Sequence, residues 1–419
     1  MYLFRGGVIM GFKKIETGLT NVIGLSEELQ SLYINNISLS HNSNVLVITS
    51  TLYEANKLFN SIFKYTDNVY LFPMDEFIAS EASISSPELE VTRLETLNTI
   101  VTNNNNKIVI TNLMGLLRFM PDKSKYMDNV INLKVNSDIN KDELYRKLCN
   151  SGYKSETLVT KTGEISNRGY ILDIFPINEE NAVRIEFWGD TIESIRLFDV
   201  NTQLSIKEVK EITINPFSEF LSDKEIEDED RKQKYLYKYE KVSKLTEYLN
   251  SPILVFKEYS QIYNSYLNLQ EEIHNLNIEY EKNEKFMFNL EEFSEKCEIY
   301  ISSVDSLLPN LKIDYTHVYE SKDAPKFDDN ISALNKKLQD YIGLGKTVII
   351  CLDSENQFNN VIRFIEVPFV KTKLSEIKEN KLNIVINPIV KGIDVMTEKP
   401  IAKKISSRFC FASSNAILV

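Results

Sequence analysis

The chain has 419 residues, of which 43% are hydrophobic and 26% charged, and these ordinary globular values argue against wholesale disorder. This length predicts two to four domains. The formal net charge of −12 argues against nucleic-acid binding by the chain as a whole, because phosphate binding needs concentrated Lys and Arg, although a local basic patch stays open.

The cysteines and histidines give no local support to a metal site, a Cys–His nucleophile or a disulfide framework. They are widely separated: Cys149, Cys297, Cys351 and Cys410, with His41, His274 and His317. Such spacing suits reduced thiols in the cytoplasm. No apolar run approaches the roughly 18 residues that span a bilayer. The opening apolar stretch contains Arg5 and has no small-residue cleavage site, so it is a poor signal peptide.

Strands and helices alternate over the first part of the chain, 16–130. NVLVITS, NVYLF and KIVITN are short apolar or β-branched runs that predict strands. The segments between them carry helical apolar stripes, and the second helix opens with Ser86 as N-cap and Pro87 at its first position. Strands separated by helices predict a parallel sheet with right-handed crossovers.

The pattern changes at 131–217. A helix, KDELYRKLCN, ends near Gly152, and short alternating strands then follow around turn residues at 162–163, 177–181 and 189–190, which predicts an antiparallel meander. In VRIEFW (183–188) a strand's period of two places Val183, Ile185 and Phe187 on one face and the other three residues on the opposite face. The only tryptophan of the chain therefore falls on a charged face.

The α/β pattern returns at 218–326. A charged run (221–241) predicts a solvated helix or tether, and SPILVFK, CEIYIS and YTHVYE predict strands. The remaining 327–419 predicts a small third α/β domain, whose end lacks a clear apolar strand. The fold class is thus α/β: a degenerate, motor-like parallel-sheet domain, interrupted by a small antiparallel β-rich (α+β) domain and followed by a small α/β domain.

Two motifs imitate nucleotide-binding sites. GLGKT (343–347) resembles the end of a GxxxxGK[ST] loop, but Asp340 replaces its first glycine and the segment runs from a helix into a strand. Asp75 and Glu76 resemble a magnesium-binding pair, but Pro73 interrupts the strand before them. We therefore predict structural roles for both segments.

The place of an ATPase phosphate loop is occupied by ETGLTNVIGLSEELQ (16–30). The segment has no lysine, and Glu27 and Glu28 near the start of a helix would repel a phosphate. We therefore predict that this part of the chain does not hydrolyse ATP.

The stretch RGYILDIFPINEENAVRIEFWGDTIESIRLFDVNTQLS (168–205) closely resembles the meander shared by UvrB excision-repair helicases and bacterial transcription-repair coupling factors. In both families this domain docks the damage sensor UvrA. Residues 71–97, LFPMDEFIASEASISSPELEVTRLETL, and the lysine-free slot favour the coupling factors. The resemblance covers 16–400.

The resemblance implies that UvrA is bound by Arg168, Arg184 and Trp188, the last replacing the family's usual phenylalanine. Arg196 is a weaker candidate. A tight turn at 189–190 would place it opposite Val183 on the other face, and a bulge would bring it to the face of Arg184. An exposed Trp beside an Arg can also be a cation–π pair under a loop.

The predicted function is therefore a non-catalytic adaptor that recruits UvrA to stalled transcription sites in nucleotide-excision repair. The alternatives are a UvrB-type ATP-dependent helicase subunit with a lost phosphate loop and a nucleic-acid-binding module. The resemblance implies no cofactor or metal in this chain and little direct DNA binding. In full-length coupling factors, ATP and Mg²⁺ belong to a C-terminal motor, and RNA polymerase, DNA and the C-terminal domain of the same chain are further partners. Because that domain covers the docking surface in the family, a chain ending at Val419 is expected to expose it.

Overall fold

The computed structural model describes most of the chain. The described residues are 12, 15, 18–75, 87–224, 226, 232–279, 285–303, 311–323, 330–352, 354–373, 376–386, 393–400 and 416–418. Ser86, Glu76 and much of the charged run lie outside them. No helix within these ranges is long and apolar enough to cross a membrane.

The elements follow the predicted order of segments. The first segment contains β1 (Thr20–Ile23), α1 (Glu27–His41), β2 (Val45–Thr49), α2 (Leu52–Phe63), β3 (Val69–Phe72), α3 (Pro87–Thr102), β4 (Ile108–Asn112), α4 (Leu113–Leu117), β5 (Met120–Pro121) and α5 (Lys123–Asp128). The inserted segment contains β6 (Ile131–Lys134), α6 (Lys141–Asn150), β7 (Lys154–Ser155), β8 (Glu164–Arg168), β9 (Ile171–Ile174), β10 (Ala182–Trp188), β11 (Thr191–Phe198), β12 (Ser205–Val209) and β13 (Glu211–Ile214). The third contains a 3-10 turn (Gln233–Tyr235), α7 (Leu236–Tyr239), β14 (Val242–Ser243), α8 (Leu245–Tyr248), β15 (Ile253–Lys257), α9 (Tyr259–Glu279), α10 (Glu291–Ser294), β16 (Ile299–Ser302) and β17 (Tyr315–Asp323). The last contains α11 (Ile331–Gly343), β18 (Thr347–Leu352), α12 (Glu355–Val361), β19 (Phe369–Lys371), β20 (Leu382–Ile386), β21 (Ile393–Pro400) and β22 (Ala416–Leu418).

A parallel sheet forms the centre of the scaffold and confirms the α/β prediction. Its order from β17 is β17-β1-β16-β15-β2-β4-β3, and every neighbouring pair is parallel. Alternate residues of β2 enter different cores: Val45 and Val47 pack in the core with α1 and α2, whereas Leu46 and Ile48 pack in the core with α3, α4 and α9. Strands covered on both faces read as continuous apolar runs, which is why the sequence identified them.

The strands of the last segment continue this sheet. β17 pairs antiparallel with β21, β21 with β22, and β22 lies parallel to β18. The sequence shows no clear apolar strand at the end of the chain, but β21 and β22 nevertheless pair there. IDVMTEKP carries few apolar residues, so local sequence gave little sign of the pairing. The predicted domain boundaries themselves stay a prediction.

The inserted segment forms a second sheet in the order β12-β11-β10-β9-β8-β7. All neighbours from β8 to β12 are antiparallel, which confirms the predicted meander. One face of this sheet packs with α6 in a core of its own. A short ladder between β6 and β13 pairs Ile131 with Ile214 where the chain enters and leaves the insertion.

A buried ionic cluster joins the end of the insertion to the scaffold. Glu219 accepts hydrogen bonds from Arg93 on α3 and Arg118 after α4, with N–O distances of 3.0 and 2.8 Å. Arg93 also donates to the Pro73 carbonyl at 3.1 Å. Burial alone would raise the pKa of Glu219, but the two arginines outweigh it and hold that pKa below its ordinary value.

We expect Glu219→Gln to lower the free energy of unfolding by about 3 kcal/mol, because it leaves two buried arginines without their carboxylate. The loss should be measured by urea denaturation at pH 7. Since the pKa of Glu219 is lowered, its stabilisation is present above the ordinary carboxylate pKa and lost as the pH falls through the folded value. Glu211→Gln, which breaks an exposed 3.7 Å pair with Lys134, is the control and should cost less than about 0.5 kcal/mol. Equal losses of unfolding free energy in the two variants would contradict the stabilising role of the Glu219 cluster.

Candidate partner-docking surface

The charged face of β10 lies on the outside of the inserted sheet, as its period of two predicted. Val183, Ile185 and Phe187 are buried in the core with α6. Trp188 lies on the opposite face and is 80% exposed. The largest apolar side chain available to the fold thus stands in water at the end of a strand.

The hairpin tip that carries Trp188 is held by the loop before α6. Trp188 pairs with Thr191 across a two-residue turn, and Gly189 has the positive φ of 62° that such turns require. The Ile139 N–H donates to the Asp190 carbonyl at 2.7 Å, and the Thr191 hydroxyl donates to Asp138 at 2.6 Å. These contacts fix the backbone of the tip, so Trp188 is presented from a rigid position.

A β-bulge decides the position of Arg196. The turn is tight, but the register shifts between Glu186 and Phe187, so that Arg196 lies directly opposite Arg184. Of the two possibilities left open by the sequence, the bulge is therefore correct. Arg196 forms an ion pair with Glu186 and keeps 36% of its side chain exposed.

Asp173 on β9 organises this face, and sequence reasoning missed it. Its carboxylate is fully buried and lies opposite Arg184 in the ladder. Arg184 donates to both of its oxygens, at 2.8 and 2.9 Å, and Arg168 forms a second ion pair with it. The sequence did contain a sign of this role. Asp173 interrupts the apolar run ILDI at a position that strand alternation assigns to the charged face.

Most of the Arg184 side chain is occupied by contacts within the protein. Besides Asp173, it donates to the Gln203 side chain at 3.1 Å and stacks over the Phe198 ring at 4.5 Å, which leaves 16% of its side chain exposed. Its ring partner is therefore Phe198 and not Trp188, so the cation–π interpretation of Trp188 is wrong. Among the described residues, no hydrogen bond or ring contact involves the indole of Trp188.

Arg168 has a different exposure from Arg184. Its side chain is 45% exposed, although it contacts the same carboxylate. The surface therefore combines one exposed aromatic side chain, two partly exposed arginines, Arg168 and Arg196, and the mostly buried Arg184, each arginine held by a carboxylate. This arrangement suits contact with another protein, because an exposed aromatic beside arginines is the composition enriched at interface hot spots.

The connection between β1 and α1, where a phosphate loop would stand in an ATPase, is short. β1 ends at Ile23 and α1 begins at Glu27, so three residues stand where the loop motif needs eight. A side chain at Gly24 would collide with the Tyr319 carbonyl, and the Ser26 N–H donates to Ser321 at 2.7 Å. Glu28 in the first turn of α1 is buried and accepts from the Tyr65 hydroxyl.

No group of three or more His, Cys, Asp or Glu side chains in the described ranges could hold a metal ion. GLGKT falls between the end of α11 and β18, so it leads from a helix to a strand. This is the reverse of the strand-to-helix order in a phosphate loop.

Comparison with known families identifies the inserted segment. A family model described as the UvrB interaction domain matches residues 131–220. The outer face that carries Trp188 lies within the segment that matches this model. Beyond this segment, the chain resembles transcription-repair coupling factors, as its sequence predicted.

Three of these relatives illustrate the match. The coupling factor of Staphylococcus haemolyticus (strain JCSC1435) is 37% identical over 202 residues, which are 48% of this chain and 17% of the relative. That of Bacillus subtilis (strain 168) is 33% identical over 218 residues, 50% of this chain and 18% of the relative. That of Staphylococcus aureus (strain USA300) is 35% identical over 209 residues, 49% of this chain and 18% of the relative. The similarity therefore spans less than a fifth of these relatives' length.

We expect Arg184→Ala and Trp188→Ala to differ in stability. Arg184→Ala removes two hydrogen bonds from a buried carboxylate and should cost about 2 kcal/mol or more. Trp188→Ala removes an exposed side chain and should change the free energy of unfolding by less than about 0.5 kcal/mol. Urea denaturation followed by circular dichroism measures both. A large loss for Trp188→Ala would mean that the indole is a folding contact.

Proposed function

We propose that this chain acts as a non-catalytic adaptor, in which the UvrB interaction domain docks UvrA and so recruits excision repair to stalled transcription. The observation that carries the proposal is Trp188, which is 80% exposed on a rigid hairpin tip of the sheet that also carries Arg168, Arg184 and Arg196. An adaptor of this kind would work in the cytoplasm. RNA polymerase, DNA and the C-terminal domain are proposed as partners of the complete coupling factor only.

The proposed mechanism separates the roles of the side chains. Trp188 supplies a flat apolar surface and one N–H donor, and burying it against UvrA provides affinity. Arg168 and Arg196 contact acidic groups of the partner from the rim of the surface, where charges add specificity and association rate. Arg184 acts mainly by positioning, because Asp173 and Phe198 already occupy its guanidinium group.

The competing proposal, a UvrB-type ATP-dependent helicase subunit, finds less support. The three-residue connection after β1 and the carboxylates at the start of α1 leave no cradle for a triphosphate. We therefore propose that the chain itself uses neither ATP nor Mg²⁺ and that these cofactors belong to the motor of full-length coupling factors.

The docking proposal is tested by calorimetric titration of the chain with UvrA from the same organism. We expect Trp188→Ala to weaken binding about thirtyfold, equivalent to about 2 kcal/mol for a central aromatic. Tyr53→Ala on α2, where the tyrosine is 71% exposed, is the matched control and should bind like the wild type. Equal affinity of all three proteins would place the interface elsewhere.

The enzyme alternative is tested by titrating the chain alone with ATP and Mg²⁺. We expect no saturable heat at millimolar nucleotide, because phosphate binding at a helix start needs free backbone N–H groups and a cation. Saturable binding, or ATP hydrolysis by the isolated chain, would favour the helicase interpretation over the adaptor.

A further inference from the structure

The turn between β11 and β12 is unusually well ordered by its own hydrogen bonds. The Asp199 carboxylate accepts from the N–H groups of Asn201 and Thr202 at 3.0 and 2.7 Å. The Gln203 N–H donates to the Asp199 carbonyl at 2.8 Å, and the Asp199 N–H donates to the Leu204 carbonyl at 3.0 Å. Side-chain caps of this kind fix a turn in one conformation.

Gln203 is strained within this turn. Its φ is +60°, in the left-handed region that costs a non-glycine residue free energy. Two hydrogen bonds of its side-chain amide offset this cost. The amide N–H donates to the Val200 carbonyl at 2.8 Å, and the amide oxygen accepts from Arg184 at 3.1 Å. The turn is therefore tied to Arg184, which Asp173 holds in place on the outer face.

Leu204 is the residue that this arrangement exposes. It directly follows Gln203 and is 69% exposed, although the turn that carries it is rigid. Ile206 two residues later is also exposed. Isolated exposed leucines are common, but a strained, fixed turn that ends in two exposed apolar residues is the composition of an interaction surface.

We propose that the turn from Asp199 to Leu204 is a second contact element of the docking surface, covered by the same UvrA protein that covers Trp188. The inference rests on the proposed function and extends it to new residues. Arg184 connects the two elements: it bonds Gln203 on one side, and Trp188 lies four residues further along β10, roughly 13 Å away at strand spacing. The turn begins after Phe198, which pairs with Ala182, so it lies about 20 Å along the hairpin from Trp188, a distance that one partner's contact area of about 800 Å² can span.

The first test is Leu204→Ser, titrated with UvrA beside Leu344→Ser, whose leucine is 71% exposed outside the insertion. We expect Leu204→Ser to weaken binding about tenfold, as for a well-buried interface leucine, and Leu344→Ser to leave it unchanged. Unweakened binding by Leu204→Ser would overturn the inference. If Trp188→Ala still weakens binding in that case, the proposed function stands without it.

The second test is Gln203→Gly, which separates binding from folding. Glycine adopts a φ of +60° without strain, so the melting temperature should be unchanged or higher even though the bond to Arg184 is lost. Binding should nevertheless fall about fivefold, because the turn is no longer held against the docking face. Wild-type affinity would contradict a preorganised contact.

Two further outcomes would overturn the proposal. If the wild type does not bind UvrA at all, the proposed function fails and this inference fails with it. If Leu204→Ser instead changes the sedimentation of the chain alone, the turn is a contact between two copies and not a UvrA contact.

Discussion

The buried carboxylate of Asp173 is the interaction on which the outer face of the insertion depends. A fully buried charge is tolerated only with partners, and here Arg184 and Arg168 both supply them. These ion pairs hold both guanidinium groups in place. Arg184 in turn contacts the Phe198 ring and the Gln203 side chain. One buried acidic residue thus holds two of the arginines on this charged face.

The scaffold is a parallel α/β sheet whose first strand and first helix are joined by only three residues. Its parallel sheet is stabilised by apolar cores on both faces, and Leu25 in the short connection after β1 packs into one of them. The backbone of β17 lies directly against this connection, where a side chain at Gly24 would collide with the Tyr319 carbonyl. The ionic cluster at Glu219 ties the insertion's last residues to α3, so the scaffold has a remaining role in fixing the insertion.

The sequence predicted the features that depend on local periodicity. Continuous apolar runs identified the parallel strands, and the period of two in VRIEFW placed Trp188 in solvent. The features it could not predict depend on pairing between separate segments. The bulge that turns Arg196 outward, the pairing of Asp173 with Arg184 and the joining of β21 to β17 all require knowledge of which residues oppose each other.

The contacts of the arginines also change how family resemblance is interpreted. A side chain whose replacement abolishes binding can act by touching the partner or by ordering residues that do. Arg184 has the contacts of the second kind, since little of it is exposed and its hydrogen bonds are internal. The indole of Trp188 makes no polar or ring contact within the described part of the chain, and its backbone is fixed by other residues. Folding therefore constrains the arginine side chain far more than the indole, which is why the two residues are given different roles in the proposed function.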